Sequence, residues 1–529
     1  MGKNSEMSHA SLTNSELDSS QRAAVLATDG AIVIAAGPGT GKTRVFAHRI
    51  AHLIQDKGVP PGEILAVSFT RSAALEMRKR IATLLPDADL SNLWVETCHA
   101  AALRILHAEK YPFPELAIAE EEQRLELLAD IVPRGKAKAW LEQLRGTKQC
   151  LEWPQDEASQ CYQEALRRRG LADFDDLFLF VLQLFAERPE ILARWRDRFR
   201  YVIMDEFQDT SLAHYRFIGR LAGEDFCVIG DPDQSIYGFA NEGCGAERFE
   251  PFTQFAKDRP NRRTLALSEN YRSQGIILDA AQQVIARNPA RVPRQLRARL
   301  ERGMPIDISG HQSDRQEAEM VVRRIEGLLG GASRFTVDTG WARDEADSRS
   351  YGLSDIAILY RLNAQARLFE LALERIGLPY VTYGKKTKKD GREVLAEEDL
   401  EDFRDNERAA PSLVHPAGES ITLMTVHRAK GLEFPVVFLT GCEDGILPYR
   451  REGDDSPSPE EERRLFYVGM TRAGSRLLIS YARKRFLFGK TLALGPSPFV
   501  ADIEDELRRL EKSEALPRKR PKDKQPELF

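Results

Sequence analysis

Short unbroken apolar runs alternate along this chain with longer stretches in which apolar residues recur every three or four positions. "AIVIA" (31–35), "ILAVSF" (64–69), "YVIMD" (201–205) and "FCVIGD" (226–231) are continuous enough to be parallel strands covered on both faces. "SAALEMRKRIATLL" has helical spacing. From about 100 to 199 the pattern turns helical, with "EEEQRLELLADIV" and "ILARWRDRF", which predicts a helical insertion in the first sheet domain. Alternation then resumes in "IDISG" (306–310), "IAILYR" (356–361), "ITLMTV" (421–426), "VVFLTG" (436–441) and "RLLISYA" (476–482). The expected fold class is α/β, two parallel-sheet domains with a helical insertion in the first. No repeat at a solenoid period is present. Residues 385–418 pass from basic "KKTKKDGR" to acidic "EEDLEDFRDNE" to "APSLVHPAGES", the composition of a surface connection.

Composition narrows the class. A chain of 529 residues with 42% hydrophobic and 30% charged residues can bury several cores under a charge-rich surface. The net charge of −5 means that any nucleic-acid contact is made by local grooves. Six scattered cysteines without C-x-x-C argue against a zinc or iron–sulfur site and suit a reducing compartment. The N-terminus lacks an apolar core, and the longest apolar run, Leu177–Ala186, is too short to span a bilayer. The expected location is cytoplasmic, with no membrane partner.

"AIVIAAGPGTGKT" places a strand directly before a glycine-rich loop. G-x-x-x-x-G-K-[ST] is met except at its first position, Ala36. Gly37, Gly39 and Gly41 let backbone N–H groups face phosphate oxygens, and a helix starting near Lys42 adds its positive end. Lys42 is expected on the β- and γ-phosphates of ATP and Thr43 on Mg²⁺. A chance glycine-rich turn is the bland alternative, and the strand before it weighs against that. "MDEFQDT" ends another strand with paired carboxylates, where open α/β sheets place ligands. Asp205 is the expected Mg²⁺ carboxylate, and Glu206 the base for the attacking water.

These motifs sit in a longer ordered series. "LDSSQRAAV", "AGPGTGKT", "AVSFTRSAALEM", "TCHAAALRIL", "DEFQDT", "GDPDQSIYGF", "ENYRS", "ILYRLNAQARLFE", "TVHRAKGLEFPVVF" and "EERRLFYVGMTRA" follow one another across nearly the whole chain. The series resembles the UvrD/Rep family of superfamily 1 DNA helicases. The resemblance implies two RecA-like P-loop NTPase domains, the first formed by 1–99 and 200–275 with 100–199 inserted, the second by 276–384 and 419–510. It implies that Gln21 reads adenine, that Tyr271 and Arg44 sandwich the base, and that Gln234 senses the γ-phosphate. It implies further that Gly431 and Glu433 contact the nucleotide, Glu433 at the ribose, and that Arg272 and Arg472 act as arginine fingers. Phe69, Thr70, His99, Tyr237, Phe239 and His427 fall at single-strand-contacting positions, with Phe239 where the family usually has Trp. For Phe69 and Phe239 the competing reading is a core aromatic.

Two departures stand out. "ANEGCGAERF" follows "IYGF", so Ala240 replaces an expected Arg. The family's large second accessory domain is replaced by the short stretch 385–418, so the resemblance implies translocation more firmly than unwinding. The reading is an ATP-dependent 3′→5′ helicase or translocase on single-stranded DNA and single/double-strand junctions, in repair, recombination or replication restart. Its rivals are a DNA-stimulated ATPase that strips proteins with little unwinding, and a scaffold with a decayed ATP site. A helicase–nuclease lacks a third carboxylate-rich domain. Residues 511–529 read as a solvated tail, with Arg518, Lys519, Arg520, Lys522 and Lys524 ahead of "QPELF". Gln525, Leu528 and Phe529 resemble the peptide by which bacterial DNA-processing proteins bind the replication sliding clamp; a frayed terminus is the alternative.

Overall fold

The computed structural model describes residues 17–129, 131–133, 135–236, 249–289, 294–330, 350–384, 419–450 and 457–511. Tyr237, Phe239, Ala240, the 385–418 stretch and the Gln525–Phe529 peptide lie outside them.

The first unit is built on six parallel strands: β1 (Ile32–Ala36), β2 (Ile64–Ser68), β3 (Trp94–Thr97), β4 (Tyr201–Met204), β5 (Phe226–Gly230) and β6 (Arg263–Leu267). Their spatial order is β3-β2-β4-β5-β1-β6. β1, β2, β4 and β5 are buried along their whole length, which is why they read as unbroken apolar runs. The helix Lys42–Gln55 buries Val45, Phe46, Ile50 and Leu53 against one face. Side-chain caps start the helices that leave the strand ends. Thr70 accepts from Ala73 N at 3.1 Å and Thr97 from Ala100 N at 3.2 Å, each cap contributing about 1 kcal/mol. Phe69, Thr70 and His99 are thereby fixed at the C-terminal edge of the sheet, where α/β folds place ligands.

Between β3 and β4 run the helices Cys98–Glu109, Glu121–Leu128, Ala137–Gln149, Glu157–Arg168, Asp176–Glu187 and Pro189–Arg198. Cys98–Glu109 and Asp176–Glu187 share the core of the main sheet. The outer helices close on a small cluster around Leu128, Leu144, Tyr162 and Leu166. Lys148 is buried there with ion pairs to Asp173 (2.5 Å) and Asp176 (2.7 Å).

The second unit has seven parallel strands: β7 (Ile306–His311), β8 (Ile356–Tyr360), β9 (Tyr380–Thr382), β10 (Ile421–Thr425), β11 (Phe434–Leu439), β12 (Ala473–Ala482) and β15 (Arg508–Glu511), in the order β9-β10-β8-β11-β12-β7-β15. An antiparallel hairpin, β13 (Lys484–Leu487) and β14 (Lys490–Ala493), follows β12.

The boundary between units differs from the sequence expectation. The first unit continues to Arg302 and also takes Pro457–Thr471. The helix Gly275–Ile285 packs against the helix Pro459–Met470, with Asn288 Nδ2 donating to Glu460 O at 3.0 Å and Arg463 Nη1 to Val284 O at 3.4 Å. The bounds implied by the resemblance put 276–285 and 459–470 in the second domain; the apolar faces of the two helices pair them with each other in the first unit. Cys98, Cys161, Cys227 and Cys442 are free thiols. Among the described residues no helix is long and apolar enough to cross a membrane.

Candidate functional site: the phosphate loop and its carboxylates

β1 runs into a loop in which Gly39 (φ +65°) and Gly41 (φ +80°) are left-handed. Gly41 caps the helix Lys42–Gln55 with no side-chain hydrogen bond to its first-turn N–H groups. A Cβ on Gly39 would stand 2.6 Å from Arg272 Cβ, and one on Gly41 2.8 Å from Gln21 Nε2. The loop is thus closed in on both sides by other segments. From one side, Gln21 donates to Thr40 O at 3.0 Å and accepts from Asp18 N at 3.2 Å. From the other, Asn270 donates to Pro38 O at 2.7 Å, and Tyr271 N donates to Gly39 O at 2.9 Å. Tyr271 keeps its ring 46% exposed with its hydroxyl on Asp18 Oδ2 at 2.8 Å, a flat surface beside the loop. Arg272 Nη1 reaches Thr471 O at 3.4 Å.

β4 delivers the carboxylates. Asp205 extends the ladder through its N–H to Val67 O at 2.9 Å and is 4% exposed. Burial, then the adjacent Glu206 carboxylate, pushes Asp205 up to about 7, against the pull of Lys42. Glu206 itself has φ +47°, a conformation rare outside glycine that aims the side chain back at the loop. Its Oε1 lies 3.9 Å from Lys42 Nζ, and Gln208 Nε2 donates to its Oε2. Gln208 Oε1 accepts from Asp231 N at 2.8 Å, and Asp231 Oδ2 accepts from Gln234 Nε2 at 2.6 Å. The neighbouring motifs are therefore joined through buried side chains. Arg294 pairs with both Asp231 and Asp233. Burial alone would raise Asp231, but Arg294 and Lys42 hold it below the usual carboxylate range.

Strand-contact candidates lie along the same sheet edge. Phe69, Thr70 and His99 are half-buried. The His99 ring packs on Phe178 (4.5 Å), His214 (5.1 Å) and Phe174 (5.6 Å). The cleft beside Phe69 and His99 is also lined by Arg145 and Gln149 from the insertion.

In the second unit, Gly431 (φ +85°), Glu433 and Arg472 are drawn to one loop. Arg472 Nη1 donates to Leu432 O at 3.1 Å, and its carbonyl accepts from Phe434 N at 2.9 Å. His427 is half-buried; desolvation, with the charges of Arg361 and Lys430, holds its imidazole well below the ordinary range.

Four functional candidates escaped the sequence. Asn270 sits unremarked inside "ENYRS", Gln208 inside "DEFQDT", and Arg294 outside any motif. The fourth is the tip of the β13–β14 hairpin. Phe486 and Phe488 are 62% and 63% exposed, and Phe488 has φ +51°. An aromatic residue at positive φ is a backbone outlier, and this one buries nothing in return. The hairpin is held by Arg485, buried against Glu317 and Glu443, and by Leu487, buried against Leu362 and Ile446. The signal was present as "RFLFGK", alternating apolar residues broken by a Phe-Gly turn.

The residues fit the groups that the motif implies. Side chains at Gly39 and Gly41 would collide with Arg272 and Gln21, so only glycine allows the loop its tight left-handed course. Thr43 and Asp205 are hard oxygen donors suited to Mg²⁺. No cluster of three or more His, Cys, Asp or Glu exists among the described residues.

Comparison with known proteins agrees with this geometry. Residues 17–157 and 141–245 match the UvrD/REP helicase N-terminal domain, and 265–395 and 389–484 the UvrD-like helicase C-terminal domain. The ATP-dependent DNA helicase PcrA of Leuconostoc citreum is 30% identical, over 95% of this chain and 86% of that protein. The PcrA proteins of Staphylococcus epidermidis and Staphylococcus aureus are each 28% identical over 93% of this chain, and over 87% and 86% of their own lengths. The Leuconostoc alignment runs over 669 positions, more than the 529 residues here, so that relative carries segments this chain lacks. On these matches the chain belongs to the UvrD/Rep family of helicases.

Proposed function

We propose that this ATP-dependent DNA helicase moves 3′→5′ along single-stranded DNA. The observation that supports it most is the convergence of Lys42, Asp205 and Glu206, with Lys42 Nζ 3.9 Å from Glu206 Oε1, at the sheet edge that also carries Phe69, Thr70 and His99. A scaffold with a decayed site has no use for Glu206 held at φ +47°.

In this reading the loop N–H groups and Lys42 bind the β- and γ-phosphates, while Tyr271 and Arg44 stack on the base. Gln21 presents its amide to adenine while anchoring Thr40. Thr43 and Asp205 would hold Mg²⁺, which would supply neutralisation of phosphate charge. Glu206, aligned by Gln208, orients a water and takes its proton as the water oxygen bonds to the γ-phosphorus. The bond from that phosphorus to the β–γ bridging oxygen breaks, leaving ADP and phosphate. Gln234 reports the γ-phosphate, and Arg272 and Arg472 stabilise the charge spread over the transferring group. Gly431 and Glu433 contact the nucleotide from the loop that also bears Arg472. Phe69, Thr70, His99, Tyr237, Phe239 and His427 bind the strand.

The hairpin favours strand separation over mere walking. An exposed Phe488 on a rigid, strained turn offers an aromatic face on which a terminal base pair can stack. We place the activity in repair, recombination or replication restart, with 385–418 standing in for a second accessory domain. Gln525, Leu528 and Phe529 are proposed to dock on the sliding clamp, tested by binding of the last ten residues against a Leu528→Ala plus Phe529→Ala peptide. The function itself is tested by ATP turnover with and without single-stranded DNA, beside strand displacement on 3′-tailed and 5′-tailed duplexes. Turnover indifferent to DNA refutes the motor, and equal displacement of both duplexes refutes the direction.

A further inference from the structure

Ser68, Thr97 and Asp205 occupy one row across three neighbouring strands. Ser68 is in register with Thr97 between β2 and β3. Asp205 stands one step beyond the last paired position of β2 and β4, Val67 with Met204. In-register side chains of parallel strands project to the same face, and neighbouring strands are about 4.8 Å apart. That spacing is too wide for a direct bond between a serine hydroxyl and a carboxylate, and it suits one small molecule between them.

A small cavity lies against this row, bounded by Ser68, Thr97, Asp205, Thr210, His99 and His214, with space for about one water. Ser68 and Asp205 are 2% and 4% exposed. Neither Ser68 Oγ nor Asp205 Oδ1 makes a hydrogen bond to any described residue. Buried polar atoms without partners are rare, and two on residues that line one polar cavity point to a shared ligand with both donor and acceptor capacity.

We propose that this cavity binds one structural water, which accepts from Ser68 Oγ and donates to Asp205 Oδ1, and that the bridge couples strand binding to ATP turnover. Ser68 directly precedes Phe69 and Thr70. Thr97, its neighbour in the row, caps the helix that carries His99. Movement of either turn on a bound strand therefore reaches Asp205 through one hydroxyl and one water. Ser68, 2% exposed, is in this proposal a positioning residue that acts through Asp205. The proposal rests on the reading that single-stranded DNA binds at Phe69, Thr70 and His99.

The test compares wild type, Ser68→Ala and Ser68→Thr as full chains, at saturating ATP, with and without a saturating oligothymidylate. Losing one hydrogen-bonded bridge should cut the DNA stimulation of kcat about 5- to 10-fold in Ser68→Ala. Affinity for the oligonucleotide should stay unchanged, and Ser68→Thr, which retains the hydroxyl, should keep the stimulation. Wild-type stimulation in Ser68→Ala overturns the bridge, and so does an equal loss in Ser68→Thr. Absence of stimulation in the wild type overturns the underlying reading of function instead. A crystal structure of the wild type should show one ordered water between the two oxygens; a dry cavity overturns the proposal outright.

Discussion

Replacing Asn270 with alanine removes a side chain that ties the phosphate loop directly to the backbone of Arg272. Asn270 is fully buried. It donates to Pro38 O at 2.7 Å and accepts from Arg272 N at 3.0 Å and Ser273 N at 2.8 Å. Alanine leaves a carbonyl and two N–H groups without these partners, a loss of about 3–4.5 kcal/mol in stability at roughly 1–1.5 kcal/mol per group. Part of that loss belongs to the reaction, because the same contacts set the distance between Gly39 and Arg272. If about 1.4 kcal/mol appears in the transition state, kcat/KM for ATP falls tenfold. Asn270→Asp separates the two ties. Its carboxylate still accepts from Arg272 and Ser273 but can no longer donate to Pro38, so KM should rise more than kcat falls. The assay is DNA-stimulated ATP hydrolysis with a fitted kcat and KM, alongside thermal unfolding. An Asn270→Ala protein within twofold of wild-type kcat/KM would refute the reasoning, whatever its stability.

Glu206→Gln should bind a fluorescent ATP analogue normally and lose hydrolysis; Lys42→Ala should lose binding as well, and wild-type turnover in Glu206→Gln would reassign the base. Phe488→Gly relieves positive φ at an exposed site, so it should raise stability by about 0.5–1 kcal/mol while abolishing strand displacement and sparing DNA-stimulated ATPase. Unwinding that survives this change removes the hairpin from the mechanism. Burial, then the Glu317 carboxylate, pushes Glu443 from 4.5 up to about 7. Its stabilising contribution is therefore complete below about pH 4.5 and lost as pH rises through 7. Wild type should lose stability relative to Glu443→Gln between pH 5 and 8, and parallel melting curves across that range would contradict it.

The strands that were legible are those buried on both faces. β1, β2, β4 and β5 announce themselves because a fully covered parallel strand admits nothing polar until its C-terminal end. β6 was not legible: "RTLAL" is an edge strand with two exposed residues at its start, and one covered side leaves no unbroken run. The β13–β14 hairpin hides for a related reason, since its outward face carries Lys484, Phe486 and Phe488, and its inward face is anchored by the charge of Arg485. Boundaries between units were illegible because packing follows the apolar faces of Gly275–Ile285 and Pro459–Met470, which lie some 180 residues apart in sequence.

The site shows the same division. Lys42, Thr43, Asp205 and Glu206 were readable because they stand in patterns that chemistry on a phosphate would demand, whatever surrounds them. Asn270, Gln208 and Arg294 act on the protein instead of the substrate. Asn270 bonds only backbone atoms, Gln208 bonds Glu206, Asp209 and the Asp231 N–H, and Arg294 bonds two aspartates. No chemical requirement singles out an amide or a guanidinium for such work, and only the backbone path makes the need visible. Yet Gln208 holds the Glu206 carboxylate, and Asn270 holds the loop that precedes Lys42. A chain can therefore carry every readable motif and still lack a working site, and the substitutions most informative about coupling are the ones that no motif contains.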